Sequence, residues 1–348
     1  MSGPTSRLYE AAAGTPSAES AGARLPSRYL APSTVTVKQL HRFRPVASER
    51  RFKQLSTSQI RQPTLMAIHA HPDDEASQTG GTLARYAAAG VRTVLVTCTD
   101  GGQGDGAEGR KPGHREHQPQ QVASRRSYEL AMSKVALGIS DVVQLGYPDS
   151  GMPDSPDDLD PLAFSRLEAE PIIRQLEALM QEYQPDVIVT YPPNGLSNHP
   201  DHVRTHELTV SAVGRLRKAG GYPAQHGHNT HLHRRIPKLY YIALSLSRLK
   251  AVRARADAAL GPGIWTPPLE IGVDDDSIST TVDISDFWGH KLQALGAHAS
   301  QADAAALLRV LSITGHENAV EEYILADPAW TDGQRETDLF EGIDGVGE

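Results

Sequence analysis

The chain has 348 residues with 39% hydrophobic and 22% charged side chains, a globular composition that excludes a low-complexity tail or a coiled coil. Its longest apolar runs, such as Val94-Leu95-Val96 and Val187-Ile188-Val189, are strand-sized, which excludes a membrane-spanning helix; its single cysteine, Cys98, excludes an internal disulfide and any multi-cysteine zinc or iron–sulfur centre. The net charge of −8 divides unevenly, because residues 1–62 hold ten Lys/Arg against three Asp/Glu, a net of +7, and the remainder stands at −15.

Residues 1–31 are rich in Ala, Ser, Gly and Pro and read as disordered, and residues 32–62 as a basic arm with scattered apolar positions. Together 1–62 form a basic, partly disordered N-terminal extension. It has no aromatic interleaving, helix-turn-helix or zinc-finger pattern, so no nucleic-acid partner is expected. It also lacks the apolar core of a secretory signal, and a cytoplasmic location is expected. The folded body, 63–348, starts near Pro63.

From there strand and helix signals alternate. Thr64–Ala70 predicts a buried strand that runs into His71-Pro72-Asp73-Asp74-Glu75. Gly81–Ala89 predicts a helix closed by Gly90, and Thr93–Thr99 a second strand followed by the loop Asp100–Gly106. That loop is Gly-rich but has neither the P-loop lysine nor the GxGxxG form, so dinucleotide binding is not expected. Ser124–Leu137 predicts a helix, Asp141–Leu145 a short strand, Leu162–Tyr183 a long helix, Pro185–Tyr191 a buried strand and His199–Leu216 a helix. Further on come a strand over Lys238–Leu246, a Pro/Gly-rich segment at 261–268, and a strand near Ser279–Asp283. A helix over Asp286–Ala299 and a helix or strand around Glu317–Leu325 complete the body. Repeated strand–helix units with near-continuous apolar strands predict an α/β fold: a Rossmann-like, mostly parallel sheet with helices on both faces. The part from about 235 is expected to extend the sheet and cap its carboxyl edge.

In such sheets the ligand crevice lies outside the carboxyl ends of the strands. Two clusters of metal-capable residues fall there: His71 to Glu75 after the first strand, and His199-Pro200-Asp201-His202 after Pro185–Tyr191. Pro72 turns the chain out of its strand, which lets His71 and Asp74 converge while Asp73 points elsewhere. Pro200 suits a first helical turn, and His199 and His202, three apart, then share a face, one to ligate and the other to meet a substrate. Two His and one carboxylate with an open position is a catalytic zinc pattern; non-heme Fe(II) uses the same set.

These residues, within AIHAHPDDEASQTGGTLARYAAAG and YPPNGLSNHPDH, resemble the PIG-L (LmbE-like) zinc-dependent N-deacetylase superfamily, and most of all its mycothiol-pathway members. The resemblance runs from about Thr64 to about Gly342 and includes GYPDSGMP, RRSYEL, PKLYY and LGAHASQ. It implies that His71, Asp74 and His202 ligate Zn2+, or Fe2+ or another divalent metal. It further implies that Asp73 is the general base, that His199 is a general acid or electrostatic partner, and that Arg126 and Asp149 hold sugar hydroxyls. Where the mycothiol enzymes carry a Tyr two residues before the first His of HPDH, this chain has Ser197, which leaves the oxyanion to the metal and a protonated His199.

The implied reaction is hydrolysis of the N-acetyl amide of a GlcNAc-type glycoside, releasing acetate and a free amine. The substrate is a small N-acetylated sugar. A homo-oligomer is left open. A thiol-conjugate amidase of the mycothiol type is the alternative within amide hydrolysis. A metal-dependent phosphoesterase needs more ligands than the two motifs supply, and a non-catalytic sugar-binding protein would have no use for Asp73 and His199. His69 is placed to orient a ligand from behind or to pack in the core. Asp201 either supports His199 or caps the helix. His298 lines the cleft or packs, and Cys98 is a core residue. His226, His228, His231 and His233 read as a solvated loop, and Asp274 to Asp276 as a solvated turn.

Overall fold

The computed structural model describes residues 61–152, 159–222, 235–315, 319–331 and 333–343. The expectations for the arm up to residue 60 and for the His-rich stretch at 226–233 lie outside these residues. Seven strands, β1 (Thr64–His69), β2 (Arg92–Thr99), β3 (Asp141–Tyr147), β4 (Val187–Thr190), β5 (Lys238–Ala243), β6 (Thr280–Asp283) and β7 (Val320–Asp327), form one sheet in the order β3-β2-β1-β4-β5-β7-β6. The first five are parallel, and β7 runs antiparallel to both β5 and β6. The chain from 235 onward thus adds the antiparallel edge.

Every residue of β1 is buried, as the unbroken run of apolar side chains requires of a strand covered on both sides. Leu65 and Ala67 join one core with Leu83, Leu130 and Trp288, whereas Met66 and Ile68 join another with Ile172, Leu176, Leu208 and Ala212. The first core draws chiefly on α2 (Gly80–Ala88), α3 (Pro119–Leu137) and α7 (Trp288–Ala297), and the second on α4 (Ala169–Tyr183) and α5 (Pro200–Lys218).

The predicted helices differ from the observed ones for local reasons. α3 begins already at Pro119, a proline at the first helical position, where its missing N–H costs nothing. α4 begins only at Ala169, because a helix from 162 would bury Pro171 in its interior and break a backbone bond; Phe164–Arg166 is instead a separate 3-10 turn. A five-residue helix, α1 (Asp74–Gln78), precedes α2. Two further helices, α6 (Leu246–Leu260) and α8 (Ala302–Thr314), were not predicted. Both are built from strong helix formers and closed by Gly261 and Gly315, but each buries few residues, so the apolar spacing is faint. Within the segment expected as helix or strand around Glu317–Leu325, the described residues from Val320 form the strand β7.

β1 and β4 are neighbours, and the chain leaves β1 toward β2 on one side and β4 toward β5 on the other. This is the point where the strand order reverses, and both motif loops emerge from it. Among the described residues no helix is long and apolar enough to cross a membrane.

Candidate active site

The first loop is tightly pinned. Asp73 adopts φ 127° and ψ −22°, a conformation rare for a residue with a side chain. Three sets of bonds hold it there. Its N–H donates to Glu75 Oε2 at 2.9 Å, its carbonyl accepts from the amides of Ala76 and Ser77 at 3.1 Å, and its Oδ2 lies 2.8 Å from Arg126 Nη2. The same Arg126 nitrogen donates to the Pro72 carbonyl at 2.6 Å, so one buried guanidinium fixes both the turn and the carboxylate. Asp74 turns the other way, and its Oδ2 accepts from the His71 amide at 2.8 Å.

The second loop approaches from β4. Gly195 has φ 61°, and a Cβ there would lie 2.6 Å from the Val203 amide nitrogen and 2.7 Å from His202 Cβ, so only glycine lets the loop close on α5. His199 is the N-cap of α5; its Nδ1 accepts from the Asp201 amide at 3.2 Å. His202 stacks on Tyr191, with ring centroids 4.2 Å apart.

Together the loops bring His71, Asp74 and His202 to one point. His71 Nδ1 lies 3.2 Å from His202 Nε2 and 3.3 Å from Asp74 Oδ2, and His202 Nε2 lies 3.4 Å from Asp74 Oδ1. The outer nitrogens decide what faces inward. His202 Nδ1 is 3.0 Å from the Gly195 carbonyl, and His71 Nε2 is 3.2 Å from Asp201 Oδ2 and 3.5 Å from Asp149 Oδ1. These oxygens only accept, so both outer nitrogens carry hydrogen, and each inner nitrogen has a lone pair to offer whenever its ring is neutral. His71 Nδ1 and His202 Nε2, 3.2 Å apart, match an edge of a tetrahedron with bonds of about 2.0–2.1 Å, and Asp74 presents a different carboxylate oxygen to each of them, a donor set that suits a small divalent cation. His199 falls within the same cluster of nitrogens, and His71, Asp149 and Asp201 form a second group of metal-capable atoms that shares His71.

The electrostatics favour positive charge at this point. Burial opposes charge on His71, but Asp149, Asp201 and Asp74 outweigh it and raise the pKa well above the ordinary imidazole value. Burial also opposes charge on Asp74, but His202 and His71 hold it well below the carboxylate range. Asp73 is raised to about 6, by burial foremost, with Arg126 opposing and Asp74 adding. His199 goes the other way: burial, then His71 and His202, lower it well below its usual value. The expected protonated His199 is therefore corrected to a neutral imidazole, with Nδ1 accepting and the proton on Nε2.

The PIG-L model, described as GlcNAc-PI de-N-acetylase, matches residues 66–213, a span that holds both loops. A 1D-myo-inositol 2-acetamido-2-deoxy-alpha-D-glucopyranoside deacetylase from Thermobifida fusca is 35% identical over 292 residues, 79% of this chain and 98% of its own. The enzyme of that name from Acidothermus cellulolyticus is 35% identical over 298 residues, 81% of this chain and 96% of its own. The chain belongs to the PIG-L family. A solved structure of GalB, the 4-carboxy-2-hydroxymuconate hydratase from Pseudomonas putida, shares the fold with a TM-score of 0.50 and 16% identity, covering 78% of this chain and 99% of that one. The fold alone therefore does not select the reaction.

For this PIG-L chain the other expected site residues fall into place with differences. Asp201 is fully buried and serves neither as support for the His199 ring nor as a side-chain cap; its Oδ2 accepts from His71 Nε2 at 3.2 Å and from the Ser150 amide at 2.9 Å, and its Oδ1 accepts from the Ser150 hydroxyl. His69 bonds Thr79 Oγ1 at 2.9 Å and reaches no metal-capable atom of the cluster, and burial lowers its pKa to about 4. Arg126 and Asp149 stand beside Asp73 and His71 but are turned inward: Asp149 accepts from the amides of Gln103 and Gly151, and Arg126 also donates to Gly101. His298 is fully buried and does not line a cleft. Ser197 is exposed on the second loop. Sequence reasoning assigned no role to Tyr191, whose hydroxyl accepts from the Ala70 amide at 2.9 Å and whose ring stacks on His202. It gave none to Glu75 either, although Glu75 closes the HPDDE run. The available signal was position alone, a strand-end Tyr and an acidic residue inside the motif.

Proposed function

We propose that this chain hydrolyses the N-acetyl amide of a GlcNAc-type glycoside, with His71, Asp74 and His202 holding a divalent cation, zinc before iron. The observation that carries the reading is the convergence of two imidazole lone pairs and a carboxylate beside Asp73, in a chain related over most of its length to inositol-GlcNAc deacetylases. When bound, the cation supplies Lewis acidity, lowering the pKa of a water to about 7 and polarising the amide carbonyl.

The remaining work belongs to the protein. Asp73 Oδ takes a proton from the attacking water as the C–O bond forms, and Arg126 keeps that carboxylate aimed at it. His199 acts as the electrostatic partner: its neutral ring donates a hydrogen bond from Nε2–H to the carbonyl oxygen as that oxygen gains charge. With Ser197 in place of a tyrosine, this N–H is the side-chain donor left for the task. As the C–N bond breaks, the proton on Asp73 passes to the amine nitrogen, leaving acetate and the free amino sugar. Asp201 fixes the tautomer and plane of His71, and the Gly195 carbonyl those of His202. Arg126 and Asp149, with their present bonds, border the position of the sugar ring. We assign this work to the body, 63–348, placed in the cytoplasm, with 1–62 as an appendage.

The test is to measure metal content and freed amine together. Purified full-length protein, loaded with zinc, is offered 1D-myo-inositol 2-acetamido-2-deoxy-alpha-D-glucopyranoside and simpler N-acetyl glycosides. Release of one acetate per amine is expected; a zinc-loaded protein that frees no amine from any of them overturns the reading.

A further inference from the structure

A buried acid ties the strained turn at Asp73 to a helix more than 200 residues away in the chain. Glu75 is fully buried. Its Oε1 accepts from Ser133 Oγ of α3 at 2.5 Å and from His298 Nε2, at the end of α7, at 2.7 Å; its Oε2 accepts from the Asp73 amide at 2.9 Å. His298 is also fully buried, and its Nδ1 has no partner among the described residues. A carboxylate removed from water this completely is costly unless several donors fix it, and here three donors from three elements do. The donor that Glu75 itself restrains is the amide of the residue at φ 127°.

We propose that His298 is a positioning residue for Asp73, acting through the Glu75 carboxylate. The imidazole holds Glu75 Oε1 so that Oε2 stays under the Asp73 amide. That bond, with the Arg126 clamp on Pro72 and on the carboxylate, keeps Asp73 in a conformation it would otherwise leave. Without His298, Glu75 turns toward other donors, the Asp73 amide loses its acceptor, and the carboxylate moves off the line of attack. The cation ligands are bonded to other partners, His71 to Asp201 and His202 to Gly195, so the loss falls on turnover and leaves metal binding in place. This role rests on the reading of Asp73 as the base.

The experiment compares the zinc-loaded full chain with His298→Leu and His298→Gln, the second of which keeps a donor. Three quantities are read: kcat and KM on the inositol-GlcNAc substrate, zinc per chain, and the crystal structure around Asp73. His298→Leu should lower kcat about 10- to 100-fold. KM and zinc content should stay within about two-fold of the parent. In its crystal structure Asp73 should have left the left-handed region. His298→Gln should recover most of kcat. Unchanged kcat in His298→Leu, a kcat loss that only tracks lost zinc, or an Asp73 that keeps its φ and its Arg126 contact each overturns the proposal. If His298→Leu does not fold, Ser133→Ala removes a different Glu75 donor and should show the same split on a smaller scale; an unaltered kcat there overturns it as well. If the parent itself frees no amine, the deacetylase reading has failed, and the Asp73 conformation in the variant still decides the positioning claim.

Discussion

Two buried aspartates stand at opposite ends of the same neighbouring strands. Asp186 lies at the amino end of β4. Its Oδ2 accepts from the Arg61 guanidinium and from the Thr64 amide at 2.9 Å, and its Oδ1 accepts from the Arg235 guanidinium. Asp74 lies beyond the carboxyl end of β1, faced by two imidazole nitrogens whose rings bond other acceptors on their far sides. The two residues are equally buried, at 6% exposure each. At Asp186 every negative charge meets a fixed positive one, and the cluster is complete as it stands. At Asp74 the His71 amide donates to Oδ2, but the two facing side chains are imidazoles bonded on their far sides to other partners, an arrangement with room in its donor set for an added cation. Burial of charge therefore does not distinguish the two ends; what faces the charge does.

Substitutions at the two ends should separate accordingly. The largest effect is expected for His71→Ala, which should lose the bound metal and all measurable turnover while Asp186→Asn keeps both; zinc per chain and amine release check this, and a His71→Ala protein that keeps its zinc would break the comparison. Asp73→Ala should keep the metal and lose about 10²- to 10⁴-fold in kcat, as removal of an acid–base group does. Tyr191→Phe removes the hydroxyl that accepts from the Ala70 amide beside the first loop and should weaken zinc affinity about 10-fold, read by competition with a chelating dye. Asp186→Asn should act on stability alone, costing about 1–3 kcal/mol in denaturant unfolding with kcat unchanged.

The smallest effect concerns pH. Burial opposes charge on His298, but Glu75 outweighs it, so its pKa is raised from 6.5 in the folded chain. A raised folded value means that its stabilisation is fully present below the unfolded pKa and is lost as pH rises through the folded one. The difference in melting temperature between the parent and His298→Leu should therefore shrink on the alkaline side. A difference that stays constant into the alkaline range would mean that the pair is not held by charge.

Much of the site was readable in advance because its residues are contiguous. HPDDE and HPDH each follow an apolar strand, and strand ends in a parallel sheet are where ligands gather. What escaped was whatever depends on direction. The sequence suggests that Asp201 supports His199 or caps the helix, yet its carboxylate points across to His71. His199 was given a proton, but the charge on a ring is set by its neighbours in space, two of which are imidazoles. The faint helices α6 and α8 were lost because each buries little, so packing leaves a weak imprint on the pattern.

The sequence by itself determined the alternation of strands and helices, the two loops that carry the metal-capable side chains, and the family. Hydrophobic runs and short motifs are local, and local order is written along the chain. Only the tertiary structure decided which nitrogen of each histidine faces inward, which carboxylate stands behind His71, and how Glu75 and His298 brace Asp73. Those contacts join residues that are far apart in the chain, as the 223 positions between Glu75 and His298 illustrate, and no periodicity records them.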